Sequence, residues 1–154
     1  MALEPSRISD FHVGGPIGSG STSKGFDAVH IATGTPVAIK MLEPTARGMS
    51  ELRERFAREA LMLSGLQSRH VGRIIGFGFE QGQPFLVLER LFGETLDGRL
   101  RAVGTVPIPT LVEWVEHILL GVRDCHAVNV IHRDLKPGNI FLARTTQGEQ
   151  AKSK

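Results

Sequence analysis

The sequence lacks cysteine pairs and a strong excess of charge of one sign. Cys125 is the only cysteine among 154 residues, which excludes an internal disulfide and a zinc site built from several cysteines. Its apolar neighbours favour an ordinary buried thiol. The 18 basic and 16 acidic residues are scattered along the chain, so the net charge of +2 marks no basic face. We therefore expect no nucleic-acid partner.

Long apolar runs, repeats and low-complexity tracts are also missing from the sequence. A membrane-spanning helix needs at least about 18 apolar residues, and no stretch reaches that length. Residues 1–10 mix charges with a proline where a secretory signal would be apolar. We expect no membrane segment in this chain and a reducing, cytoplasmic compartment. A chain of this length is expected to form one domain or part of one.

Short β-prone runs between Gly-rich or polar turns predict strands. These runs are residues 11–17, 25–31, 35–42, 73–79, 84–89 and 140–142. Apolar residues at helical spacings predict two amphipathic helices, one beginning near Ser50 and one beyond Pro109. The stripe of the second helix is Leu111, Val115, Ile118, Val122 and Cys125, widened by Trp114 and Leu119. The polar residues 144–154 predict a disordered tail. This order of elements indicates an α+β fold.

A glycine-rich turn, Gly18-Ser19-Gly20, lies between the first two predicted strands. Positions without side chains let backbone N–H groups approach a phosphate chain closely. A hairpin turn with no ligand explains the same glycines. A Walker-type P-loop is excluded, because Ser23 and Gly25 flank Lys24 where glycine and Ser or Thr are required, and a strand follows instead of a helix.

Lys40 ends the run Val37-Ala38-Ile39-Lys40, in which alternation places its side chain on the same face as Ala38. Glu59 falls within the apolar stripe of the first helix, where a carboxylate is costly unless it meets a cation. A Lys40–Glu59 pair would hold the ammonium where it contacts two phosphates. An exposed strand lysine and a glutamate that turns to water are the alternatives.

The run His132-Arg133-Asp134-Leu135-Lys136-Pro137-Gly138-Asn139 is the most specific signal in the chain. It places a carboxylate, a lysine two residues later and an amide five residues later in one loop. Such a loop can bring a base to a hydroxyl, a cation to a transferred phosphoryl group and an oxygen ligand to Mg²⁺. A chance assembly of these residues behind a helix is very rare, so we favour a phosphoryl-transfer function.

Taken in order, these segments resemble the protein-kinase signature set from about Phe11 to Leu142, and the flanking residues resemble bacterial serine/threonine kinases. The resemblance implies a kinase-like α+β fold, in which a five-stranded antiparallel small lobe with one helix precedes the start of a helical large lobe. It implies an N-terminal extension at 1–10, a small lobe and hinge at 11–91, an incomplete large lobe at 92–143 and a polar tail at 144–154. ATP and Mg²⁺ are the implied cofactors, and a protein Ser or Thr hydroxyl is the implied acceptor.

The resemblance also assigns roles to residues. Asp134 becomes the catalytic base, Lys136 meets the γ-phosphate and favours Ser or Thr over Tyr, and Asn139 binds one Mg²⁺. Lys40 and Glu59 hold the α- and β-phosphates. The other implied ATP-binding positions are Ile17, Gly18, Ser19, Gly20 and Gly25 around the phosphates, Ala38 and Phe141 on the two faces of adenine, the backbone of Glu89 and Leu91 at its edge, and Thr95 near the ribose. Leu88 would be the gatekeeper. Ordinary core packing also accounts for Ala38 and Phe141.

The sequence departs from the family pattern at three places. Ser23 stands at the third glycine of the loop and Gly25 at the valine that packs on adenine, so we expect reduced nucleotide affinity. No Asp-Phe-Gly follows Leu142, so the carboxylate that should hold the main Mg²⁺ is missing and activity of this chain alone is expected to be weak. The long helix would then expose an apolar patch prone to self-association.

Two other functions stay open at this point. One is a catalytically silent, pseudokinase-like module that binds nucleotide or another protein. The other is a small-molecule phosphotransferase of related fold, which the Arg133 and Lys136-Pro137 pattern disfavours because it resembles protein kinases.

Overall fold

The computed structural model describes residues 5–19, 23–43, 49–132, 134–145 and 148–153, without the side chains of residues 49–53, 55 and 59. The chain divides into two compact units. The first contains Met1–Gly65 and Arg73–Arg90, and the second contains Leu66–Gly72 and Leu91–Lys154. Within the described ranges, no helix combines the length and the hydropathy required to cross a lipid bilayer.

The first unit is built on a five-stranded antiparallel sheet in the order β1-β2-β3-β5-β4. Its strands are β1 (Phe11–Ser19), β2 (Ser23–His30), β3 (Pro36–Leu42), β4 (Ile74–Glu80) and β5 (Gln83–Glu89). The helix α1 (Met49–Ser64) follows β3. The five predicted strands and the first predicted helix are confirmed, and the strand ends agree within about two residues, the usual uncertainty of such boundaries.

Alternation along the strands builds the core of this unit. Ile39 and Phe85 are fully buried, and Val37 and Val87 nearly so, on neighbouring strands β3 and β5. In a second cluster of this unit, the Phe56 ring of α1 lies edge-on to the rings of Phe77 and Phe79. Burying one such side chain stabilises the fold by about 1.5–3 kcal/mol. The apolar side of α1 is thereby fixed on the sheet.

The N-terminal segment crosses the outer strand β4 where that strand carries two glycines. The Ser6 N–H donates to the Phe77 carbonyl at 2.7 Å. A Cβ on Gly78 would collide with the Ser6 carbonyl oxygen and lie 2.6 Å from the Phe85 ring. Glycine is therefore required for this close approach. The segment covers part of a sheet edge, which protects that edge from pairing with other chains.

The second unit contains the three-stranded sheet β6-β7-β8 and two helices. Its elements are β6 (Gly93–Thr95), α2 (Leu96–Val103), α3 (Ile108–Ala127), a 3₁₀ turn (Pro137–Asn139), β7 (Ile140–Thr145) and β8 (Gly148–Ser153). Trp114 of α3 packs in a core with the fully buried Leu142 and Ala151. The second predicted helix and the strand at 140–142 are confirmed.

The prediction of a disordered tail at 144–154 is wrong. Residues Gly148–Ser153 form β8, which pairs antiparallel with β7, and Ala151 and Ser153 are buried. Only small side chains of this polar stretch face the core, so its composition does not indicate a strand. The residues from Gly93 to Val103 form β6 and α2, and the Thr95 side chain caps the first turn of α2.

Arg99 of α2 joins three elements of the second unit. Its Nε donates to Glu94 of β6 at 2.7 Å, and its terminal nitrogens pair with Glu149 of β8. The guanidinium lies 5.9 Å from the centre of the Trp114 ring. These two carboxylates raise the pKa of Arg99 above its usual value. Paired charges of this kind hold β6 and β8 in register around the same core.

The long helix α3 buries one side and exposes another. Trp114, Gly121 and Cys125 are buried, which confirms the expected buried thiol. The predicted stripe only partly faces the core, because Leu111 and Val115 are exposed and Leu119 has 63% of its surface accessible. Ile108 and Val112 extend this surface. We call these five side chains the exposed apolar face of α3.

Candidate functional site

The glycine-rich turn is placed between β1 and β2. Gly18 pairs with Gly25 and Ser19 with Lys24 across the two strands, while residues 20–22, including Gly20, lie outside the described residues. A Cβ on Gly18 would have no heavy atom within 4 Å, so its backbone is open to approach. Ile17, next to it on β1, is exposed. The local geometry suits a loop that lies over a polyanion.

Lys40 lies in the same cross-strand row as the two glycines. Gly18 pairs with Gly25, and Gly25 pairs with Lys40 on β3. With about 4.8 Å between neighbouring strands, the three Cα atoms span about 10 Å. Val37 and Ile39 are buried while Ala38 and Lys40 are half-buried, as the predicted alternation requires. The sheet therefore aligns the lysine with the open backbone of the turn.

Glu59 lies in α1, but its side chain falls outside the described residues. Its pairing with Lys40 stays a prediction.

The end of β5 is fixed by contacts that sequence reasoning missed. The Glu89 N–H donates to the Arg73 carbonyl at 2.9 Å, and the Glu89 carboxylate accepts from the Arg73 N–H at 3.1 Å. Arg90 Nε donates to Asp27 of β2 at 2.7 Å. Asp27 pairs with Ala38, which in turn pairs with Leu88. These bonds hold the backbone that leads from β5 towards Leu91. The Arg90 and Asp27 positions are 63 residues apart, and no local pattern connects them.

Thr95 and Phe141 are neighbours in the second unit. They pair directly between β6 and β7. The Thr95 hydroxyl oxygen accepts from the Gly98 N–H at 3.1 Å and so caps α2. Phe141 is half-buried. The two positions expected at the ribose and at adenine therefore lie opposite each other on neighbouring strands of the three-stranded sheet.

The loop after α3 brings Asp134, Lys136 and Asn139 together. Lys136 Nζ lies 3.0 Å from the Asp134 carboxylate. The Asn139 amide donates to the same carboxylate at 2.7 Å and to the Asp134 carbonyl at 2.8 Å. The Asn139 N–H also donates to the Lys136 carbonyl at 2.8 Å, which closes the 3₁₀ turn. Arg133 lies outside the described residues.

These contacts decide the charge of Asp134. Hydrogen bonds from Lys136 and then from Asn139 hold the pKa of the Asp134 carboxyl below its usual value. The carboxyl is therefore ionised at neutral pH, with its oxygen atoms exposed at the surface of the loop. An exposed, oriented carboxylate beside a cation can accept the proton of an approaching hydroxyl.

The donor set for a metal is small. Asn139 uses its amide nitrogen for both bonds to Asp134, which leaves the amide oxygen as its metal-ligating atom. Within the described part of the chain, no group of three or more His, Cys, Asp or Glu side chains is placed to hold a metal ion. Mg²⁺ prefers oxygen ligands and keeps several waters when phosphates supply the rest. The residues fit Mg²⁺ in chemistry, and they would hold it only weakly without a nucleotide.

Comparison with known proteins agrees with this chemistry. The family model of the protein kinase domain matches residues 11–152. The chain is 34% identical over 154 residues to the serine/threonine-protein kinase pkn2 of Myxococcus xanthus, covering 99% of this chain and 18% of that protein. It is 32% identical over 139 residues to the serine/threonine-protein kinase PknH of Mycobacterium tuberculosis, covering 90% and 22%. It is 30% identical over 135 residues to PknL of the same organism, covering 88% and 34%. The chain thus spans between 18% and 34% of the length of these relatives.

Proposed function

Because this chain belongs to the protein kinase domain family, we propose that it supplies the ATP-binding lobe and catalytic loop of a serine/threonine protein kinase. The proposed reaction transfers the γ-phosphoryl group of Mg²⁺-ATP to a protein Ser or Thr hydroxyl. The observation that carries the proposal is the cluster in which Lys136 and Asn139 orient the ionised carboxylate of Asp134.

In the proposed mechanism, Asp134 accepts the proton of the acceptor hydroxyl as its oxygen attacks the γ-phosphorus. The new bond joins that oxygen to phosphorus, and the bond from phosphorus to the bridging oxygen breaks to release ADP. Lys136, 3.0 Å from Asp134, would offset negative charge on the transferred group. Asn139 would hold Mg²⁺, which supplies charge neutralisation at the phosphates when bound.

The proposed nucleotide site consists of the residues that the kinase resemblance assigns to ATP. The backbone around Gly18, together with Ile17, Ser19, Gly20 and Gly25, would cover the phosphates, and Lys40 with Glu59 would bind them. The row from Gly18 through Gly25 to Lys40 supports this assignment. Ala38 and Phe141 would sandwich adenine and Thr95 would meet the ribose. The backbone of Glu89 and of Leu91 would face the adenine edge.

We also propose that the enzyme works in the cytoplasm, where ATP is available and where a chain with one cysteine needs no oxidising environment. The exposed apolar face of α3 is proposed to mediate self-association of the 154-residue chain, because five large apolar side chains form a continuous surface there.

A catalytically silent, nucleotide-binding module is the second candidate. The observation that favours it is the departure from the family's glycine-rich loop, where Ser23 replaces the third glycine and Gly25 replaces the valine that packs on adenine. Such a module would bind nucleotide and transfer no phosphate.

Nucleotide titration tests the proposed site. Fluorescent ATP analogue binding is measured with Mg²⁺ for the wild type, for Lys40→Ala and for Lys24→Ala. Lys24 is the matched control because it is an exposed lysine on the adjacent strand, 3.9 Å from Glu43. We expect Lys40→Ala to weaken binding about tenfold or more, since it removes a charge-assisted contact, and Lys24→Ala to leave it unchanged. Equal effects of the two substitutions would contradict the site.

A further inference from the structure

Residues 66–72, which connect α1 to β4, are docked in the second unit. We call them the docked segment. Val71 forms a parallel bridge with Ser153 of β8, and the Gly72 N–H donates to the Ser153 carbonyl at 2.8 Å. The Ser153 N–H in turn donates to the His70 carbonyl at 3.0 Å. The segment therefore extends the edge of β8 through backbone hydrogen bonds.

His70 anchors the docked segment against α3. It is only 8% exposed, and its ring stacks on the ring of His117 with centroids 5.0 Å apart and planes 29° apart. Gly121, one turn further along α3, allows this approach, because a Cβ there would lie 2.8 Å from the His70 carbonyl oxygen. The fold thus places two titratable rings face to face under a backbone contact.

The His70 ring faces a hydrogen-bond donor. Its Nδ1 lies 3.5 Å from the side-chain nitrogen of Gln150, and Nδ1 of the stacked His117 ring accepts from the Ala151 N–H at 3.4 Å. An Nδ1 atom that meets a donor acts as an acceptor, so the Gln150 contact fits a neutral His70 ring. A second proton on His70 would fill the accepting nitrogen and bring positive charge next to the His117 ring.

Some charges around His70 favour a protonated ring and others oppose it. Asp124 favours a protonated ring, while His117, Arg69 and Arg123 oppose it. Asp124 is itself hydrogen-bonded by Ser68 and by Arg123, the latter at 2.8 Å, which weakens its effect. Burial is the largest influence, and together these effects lower the pKa of His70.

We propose that His70, buried and stacked on His117, is a proton-sensitive latch, which holds the docked segment on α3 and β8 while His70 is neutral and releases it on acidification. A released His70 would titrate near its ordinary value of about 6.5, so the released state binds more protons below that pH. Docking is therefore fully stable above about pH 6.5 and weakens as pH falls towards the lowered pKa of the docked ring. Release would lengthen the free chain that follows α1.

Hydrogen exchange of the full 154-residue chain tests the latch. Exchange rates, corrected for the intrinsic effect of pH, are compared at about pH 7.5 and about pH 5.5. These values lie on the neutral and the acid side of the ordinary histidine pKa. We expect amides 70–72 and 153 to exchange at least about threefold faster in acid, while those of Val37 and Ile39 in the other unit change less.

Two variants separate the latch from general acid destabilisation. His70→Phe keeps a stacking ring that takes no proton and should remove most of the acid response. His126→Asn removes an exposed histidine from α3 and should leave that response intact. An equal acid response in His70→Phe and His126→Asn would overturn the proposal. If His70→Phe does not fold, ring NMR titration of the wild type decides: a His70 midpoint below 6.5 supports the latch, and a midpoint at or above 6.5 overturns it.

Discussion

Asn139 binds Asp134 twice, once through the carboxylate at 2.7 Å and once through the backbone carbonyl at 2.8 Å. The double contact fixes both the position of the loop at Asp134 and the direction of its side chain. Lys136 adds a third contact, because its ammonium group lies 3.0 Å from the Asp134 carboxylate. The orientation of the proposed base therefore depends on residues two and five positions later in the sequence.

Removing either partner should raise the pKa of Asp134. Lys136→Met is expected to raise it more than Asn139→Ala, because the Lys136 contact is the larger cause of the lowered value. Since the folded-state pKa lies below 3.8, these contacts favour folding above that pH, and the contribution is lost as pH falls through the folded value. Carboxyl NMR titration measures the change, with Lys24→Met as a control for loss of a distant charge. An unchanged Asp134 pKa in Lys136→Met would contradict the ion pair.

Phosphate transfer by the 154-residue chain should be little or none. Asn139 is the side chain that we propose for Mg²⁺, and a single amide binds this ion weakly. Incorporation of labelled phosphate from Mg²⁺-ATP into a generic protein substrate measures the activity. Robust incorporation that Asp134→Asn abolishes would refute this prediction and would support the enzyme over the silent module.

Gly25→Val should strengthen nucleotide binding. A Cβ at Gly25 would lie 3.5 Å from the Gly18 carbonyl and 3.6 Å from Ile17, which is ordinary contact distance, so the strand accommodates it. An added apolar contact of about 1 kcal/mol corresponds to roughly fivefold tighter binding. The titration used for Lys40→Ala measures it. Gly15→Val is the control, because a side chain there has no neighbour within 4 Å. A similar gain in both variants would argue against a nucleotide contact at position 25.

Gly78→Ala should destabilise the first unit by about 1–3 kcal/mol, the usual cost of overpacking. The new methyl group would meet the Ser6 carbonyl and the Phe85 ring, and both are held by the sheet. Urea denaturation gives the free energy of unfolding. Gly15→Ala, on β1 of the same sheet with open space around it, should change that free energy by less than about 0.5 kcal/mol. Equal stability of the two variants would show that the N-terminal segment does not lie on β4 in solution.

Leu119→Glu should weaken self-association of the chain. Leu119 lies within the exposed apolar face of α3, and a charge there must be desolvated in any contact between copies. Sedimentation velocity across a concentration series should show larger species for the wild type and fewer for Leu119→Glu. Ser9→Glu adds the same charge at an exposed position in the other unit and should behave as the wild type. A wild-type chain that stays monomeric at all concentrations would disprove the proposed contact.

Local pattern was enough to predict the five-stranded sheet and the two longest helices. The loop from Asp134 to Asn139 was also predictable, because its side chains meet within six residues of sequence. Contacts between distant segments were not. The residues of β8 are mostly polar, and only their pairing with β7 identifies them as a strand. The Arg90–Asp27 ion pair depends on the register of three strands. The stacked rings of His70 and His117 join a connection to a helix 47 residues away, and no periodicity relates them.

Cys125 lies on the buried side of α3, and burial raises the pKa of its thiol. A protonated, shielded sulfur does not react with maleimides or iodoacetamide, because the thiolate is the nucleophile. Labelling can therefore occur only when α3 separates from its neighbours. The rate at which this single native thiol is labelled therefore measures how often the second unit opens, and no engineered probe is needed.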